Sequence, residues 1–71
     1  MSGAKLQRLL EKELGYRVQR IEGSHRTLVA DGRPPLHLAY HSGRTFAPGL
    51  IRKILVKDVG LSEREAHDLV S

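Results

Sequence analysis

Leu6, Leu9, Leu10 and Leu14 recur three and four residues apart, the spacing that lines one face of an α-helix. Ser2 precedes this run as an N-cap and Gly15 follows it as a stop, which predicts an amphipathic first helix of about three turns. The period then changes. Tyr16 to Ile21, His25 to Ala30 and Leu36 to His41 are short runs rich in β-branched, aromatic or apolar residues. They are separated by Glu22-Gly23-Ser24 and by Asp31-Gly32-Arg33-Pro34-Pro35, and they predict a three-stranded antiparallel meander. His41 to Phe46 reads as a loop. Pro48 takes a first-turn position in a second helix, whose stripe of Leu50, Ile51, Ile54 and Leu55 ends before Gly60. Ser62 and Glu65 form a capping box with Leu61 and Ala66 at the staple positions, so a short third helix runs to about Val70.

The order α-β-β-β-α with a terminal helix implies an α+β fold of two layers, because each helix has one apolar stripe and the sheet must bury one face. Residues 1–71 are expected to form one domain. Period-two alternation turns Leu28, Ala30, Leu36 and Leu38 inward and leaves His25, Thr27, Val29, His37, Ala39 and His41 on an open face. If the turn from Asp31 to Pro35 sets Ala30 opposite Leu36, then Val29 stands by His37, Thr27 by Ala39, and His25 by His41. Directly opposed residues have Cβ atoms roughly 4.5–5.5 Å apart, so both imidazoles would reach one phosphodiester.

Composition narrows the function. A chain of 71 residues supports one small core, burying only roughly 60% of the surface its unfolded form exposes. It has no cysteine, which excludes thiolate chemistry and cysteine-based zinc sites and suits a reducing compartment. No run approaches the roughly 20 apolar residues of a membrane span, and the N-terminus reads as a helix rather than a signal segment, so a soluble cytoplasmic protein is expected. The net charge is +4. Between Gly15 and Lys57 the chain carries eight basic residues (Arg17, Arg20, Arg26, Arg33, Arg44, Arg52, Lys53 and Lys57) against Glu22 and Asp31. Such a footprint favours a polyanion, nucleic acid above all, although a solvated cationic surface with no dedicated partner has the same composition. The basic residues do not share one long amphipathic helix, which disfavours a membrane surface.

The run Glu22-Gly23-Ser24-His25-Arg26 brings a histidine to the start of a strand on a glycine turn. Histidine exchanges protons near neutral pH, and basic neighbours can hold a phosphate beside it. Three histidines, His25, His37 and His41, could form an open zinc site with a water, but alternation along so short a hairpin does not bring all three within coordination distance. Neither a metal nor another cofactor is expected.

Several pieces in order resemble the HicA-type toxins, small mRNA interferases of bacterial type II toxin–antitoxin systems. They are Leu14-Gly15-Tyr16 closing the leucine-rich helix, Arg20-x-x-Gly23-Ser24-His25, the Asp31-Gly32 hairpin, His41-Ser42-Gly43-Arg44, and Pro48-Gly49-Leu50-Ile51-Arg52-Lys53-Ile54-Leu55 leading to Gly60-Leu61-Ser62. Glu22 and Tyr40 depart from the usual pattern, which carries a basic or neutral residue and a proline there. The resemblance implies a double-stranded-RNA-binding-domain-like fold, mRNA as substrate, a HicB-type antitoxin as partner and His25 as the catalytic residue. Metal-free RNA cleavage needs a base for the ribose 2′-OH, an acid for the leaving 5′-oxygen and a cation for the phosphorane. His25 fits the first role and His41 the second, with Ser24 orienting His25 or bonding a phosphate and Gly23 shaping the turn. Arg20, Arg44, Arg52, Lys53 and Lys57 are the expected phosphate contacts, while alternation turns Arg26 away from the His25 face. The alternative is a non-catalytic double-stranded-RNA-binding module, or a degenerate toxin, with the same basic surface. The three aromatic residues, Tyr16, Tyr40 and Phe46, are too few for base-stacking recognition of single strands.

Overall fold

The computed structural model describes residues 1–71. Helix α1 spans Gly3–Leu14, opened by the Ser2 hydroxyl accepting a hydrogen bond from the Lys5 amide at 3.1 Å and closed by Gly15 at φ 74°. Of its four leucines, Leu6 and Leu10 are fully buried and Leu14 packs at the margin, while Leu9 is half-buried outside the core.

Three strands follow, β1 (Arg17–Glu22), β2 (His25–Ala30) and β3 (Arg33–Ala39), in the antiparallel order β1-β2-β3. Gly23 at φ 61° makes the first turn, as the first central residue of a two-residue hairpin loop. The second hairpin corrects the expected register. Asp31-Gly32 alone closes it, with Gly32 at φ 73° and Ala30 opposite Arg33, so β3 starts three residues early and takes in Pro34 and Pro35. Asp-Gly is a strong tight-turn dipeptide, and prolines that lack an N–H are tolerated on an edge strand. Leu28 therefore pairs with Leu36, Thr27 with His37 and His25 with Ala39, while His41 lies beyond the strand. A slip of two residues keeps every side chain on its face but changes its neighbours.

Helix α2 (Pro48–Lys53) starts on Pro48 and continues as a π-helical segment, Ile54–Val59, that ends at Gly60 with φ 95°. The expected single helix thus keeps its limits but widens halfway, and Ile51, Ile54, Leu55 and Val59 are buried along it. These residues pack with Leu6, Leu10, Leu28, Leu36 and Leu38 into one core between the helices and one sheet face. Tyr16 closes an edge of it, donating its hydroxyl to the Pro34 carbonyl at 2.8 Å, and burial raises its pKa above the ordinary phenol value. The arrangement is α+β and double-stranded-RNA-binding-domain-like, with the other sheet face open. No helix is long and apolar enough to cross a membrane.

Helix α3 (Glu63–Val70) is held by a reciprocal cap: the Ser62 hydroxyl accepts from the Glu65 amide and the Glu65 carboxylate from the Ser62 amide, both at 3.0 Å. The Ser62 backbone bond, then its hydroxyl, holds the Glu65 carboxyl below its ordinary value. A depressed carboxylate stabilises the fold above its unfolded-state value and loses that contribution as pH falls through the folded one. Ser62→Ala is expected to cost about 0.5–2 kcal/mol in urea unfolding, the range for loss of an N-cap. In the same variant the Glu65 titration followed by NMR should move up toward the ordinary carboxylate value.

Candidate functional site

The register groups the open face into rungs. Glu22, His25 and Ala39 share one, Arg20, Thr27 and His37 the next, and Arg17 and Val29 another. His25, the first residue of β2, is exposed at the end of this face. Arg20 and Glu22 form an ion pair along β1, so the cation nearest to His25 in sequence on that strand is already engaged with an acid. Thr27 Oγ1 lies 3.4 Å from His37 Nδ1 across the β2–β3 pair. The expected pairing of His25 with His41 does not occur. His41 is exposed in the loop after β3, and His37 is the histidine that the sheet sets on the rung beside His25. No three His, Asp or Glu side chains come together as a group able to hold a metal ion.

The Gly-Ser-His turn is fastened from behind. The Tyr40 amide donates to the Ser24 carbonyl at 3.0 Å, and Arg26 Nη1 donates to the carbonyls of Ser24 and Tyr40, each at 3.1 Å. The Arg26 guanidinium also lies over the Tyr40 ring, 4.1 Å from its centroid. Arg26 follows strand alternation onto the face opposite His25, as expected, and there it clamps the backbone on either side of the site. Ser24 contributes its carbonyl, which takes both bonds. Tyr40 is anchored in turn by its hydroxyl donating to Gln7 Oε1 and by edge-to-face packing on Phe46 at 6.2 Å. Arg26→Ala removes two hydrogen bonds from a charged donor, each worth about 1.5–3 kcal/mol at most, from a half-buried position. We expect a loss of about 2 kcal/mol in thermal unfolding and altered NMR shifts for Ser24 and His25, with Arg26→Lys recovering only part of each.

The remaining basic candidates divide by element. Arg44 is exposed, donates to the Ala39 carbonyl at 2.7 Å and stacks on Phe46 at 4.7 Å, which brings it to the end of the His25 rung. Arg52, Lys53 and Lys57 are exposed on α2 and the π-helical segment, where they edge a shallow depression of about 260 Å³ with Gly49, Val56 and Glu63. Arg52 pairs with Glu63 across that depression. The site thus consists of an exposed imidazole on a rigid turn, Arg44 bound at the β3 end of its rung, a second imidazole one rung away, and a separate basic strip on the helical layer. Such a surface can hold an anionic backbone and exchange protons with it. The sequence pattern places His37 on the open face but gives it no part in catalysis. The signal that finds it is Asp31-Gly32 read as a two-residue turn, which sets the register that pairs His37 with Thr27.

Residues 3–61 match the model of a family described as the HicA toxin of bacterial toxin–antitoxin systems. No curated protein and no solved structure gives a significant match to the chain.

Proposed function

The chain belongs to the HicA toxin family of bacterial toxin–antitoxin systems, and we propose that it is an endoribonuclease that cleaves mRNA with His25 as its catalytic residue. The observation that carries this reading is an exposed histidine on a fastened glycine turn at the end of an open sheet face, with Arg44 bound to the backbone of its rung. In this mechanism the His25 ring takes the proton of the ribose 2′-OH, and the 2′-oxygen attacks the adjacent phosphorus. Arg44 neutralises charge on the phosphorane, while Arg20, Arg52, Lys53 and Lys57 hold flanking phosphates. Ser24 orients His25 through its held carbonyl, and Gly23 supplies the left-handed backbone of the turn. The chemistry needs no metal, because histidine supplies the base and arginine the charge.

Residues 1–71 act as one HicA-like domain in the cytoplasm, and a family toxin implies a cognate antitoxin. We take that partner to be of the HicB type, with an acidic surface complementary to the basic one. The experiment is an incubation of the purified chain with end-labelled RNA in excess EDTA. Fragments ending in 2′,3′-cyclic phosphate or 3′-phosphate are expected. Ends bearing 3′-OH, or RNA retained by the protein but left uncut, would contradict the mechanism, the second result favouring the non-catalytic binding module.

A further inference from the structure

We propose that His37 is the general acid of this reaction, protonating the 5′-oxygen as it leaves; the inference rests on the nuclease reading above. His25 pairs with Ala39 and His37 with Thr27, so the two imidazoles are diagonal neighbours on one face of adjacent strands. Diagonal positions are roughly 7–8 Å apart, within reach of ring side chains. That separation is what an in-line displacement requires. The attacking 2′-oxygen and the departing 5′-oxygen lie on opposite sides of phosphorus, so base and acid must stand on either side of the phosphate. A directly opposed pair would crowd both onto one side.

The surroundings of His37 suit an acid. Thr27 Oγ1 lies 3.4 Å from Nδ1, on the same rung, and accepts from Nδ1–H in the imidazolium form. This fixes the ring and leaves Nε2–H to face an incoming oxygen. Both histidines are exposed, so neither must leave a packed position to meet RNA. His41, on the loop, has no strand register to hold it at a set spacing from His25.

The step balances. The 2′-O–H proton passes to His25, the 2′-O–P bond forms, the P–O5′ bond breaks with its electron pair on O5′, and the Nε2 proton of His37 neutralises that oxygen. The products are a 2′,3′-cyclic phosphate and a 5′-OH, with His25 charged and His37 neutral until both exchange with solvent.

The test uses two oligoribonucleotides that contain a site cut by the wild-type protein, one unmodified and one with sulfur replacing the bridging 5′-oxygen there. A thiolate leaves without a proton, because thiols ionise near about pH 8.5. His37→Gln is expected to slow cleavage of the unmodified substrate by about 10²-fold or more, the contribution of a positioned acid. On the sulfur substrate it should cleave within several-fold of wild type, whereas His25→Ala should be slow on both. Thr27→Val should show a smaller loss with the same rescue. The proposal is overturned if His37→Gln cleaves the unmodified substrate at the wild-type rate, or if it is equally impaired on both substrates, the mark of a structural role. A wild-type protein that cuts no RNA would remove the nuclease reading itself, an outcome distinct from either.

Discussion

His25→Ala is expected to lower the rate of RNA cleavage by about 10²–10⁴-fold, the range for a histidine that transfers a proton in the transition state, and to leave RNA affinity nearly unchanged. The two effects separate because His25 is a single exposed imidazole, whereas affinity for a phosphate backbone comes from the summed cations and their released counterions. Arg44, Arg52, Lys53 and Lys57 all remain in the variant. Folding should also be unaffected, since the ring is exposed and the turn is held by the Ser24 carbonyl, Arg26 and Tyr40. Cleavage rate and filter-binding affinity measured on one preparation check this. A parallel loss of both would mean that the substitution disturbs the surface rather than the chemistry.

Gly3→Ala should destabilise the fold although it adds a single methyl group to a helix. Gly3 is buried, and a Cβ there would lie 2.8 Å from Cδ1 of Tyr40 and closer still to Cγ and Cδ2. The ring cannot simply withdraw. It bonds to Gln7, carries Arg26 on one face and packs its edge against Phe46. Gly3 is equally constrained, its amide bound to the Arg44 carbonyl at 3.1 Å beside the Ser2–Thr45 bridge. Overpacking of this kind costs about 1–3 kcal/mol, and the better helix propensity of alanine returns only about 1 kcal/mol. We expect a net loss of about 1 kcal/mol, which lowers Tm by roughly 4–8 °C in so small a domain. Gly49→Ala is the control, because a Cβ at Gly49 meets nothing within 4 Å and helix propensity favours it. Calorimetry of the two variants should move Tm in opposite directions.

The same contacts show what was legible in the sequence. Helix limits were, because they are local: Ser2, Gly15, Pro48, Gly60 and the Ser62–Glu65 box each act within a few residues of the end they mark. The inward set Leu28, Leu36 and Leu38 was legible too, since period-two alternation survives any even slip of register. Register itself was not, because Pro34 and Pro35 made the second hairpin look long when Asp31-Gly32 already closes it. That one turn decides whether His41 or His37 lies near His25. The clamp by Arg26 and Tyr40 was invisible for another reason. It joins positions 14 residues apart through a guanidinium, two carbonyls and a ring, and no local pattern encodes such a contact. The change from α2 to a π-helical winding at Ile54 likewise has no marker in the apolar stripe.

The central claim, an RNA-cleaving toxin whose action depends on His25, is tested most directly in cells by inducing the wild-type chain and His25→Ala side by side and reading growth and full-length mRNA in the same cultures. The account predicts arrest with mRNA loss in the wild type and neither in the variant. Arrest by both proteins with mRNA intact would contradict it.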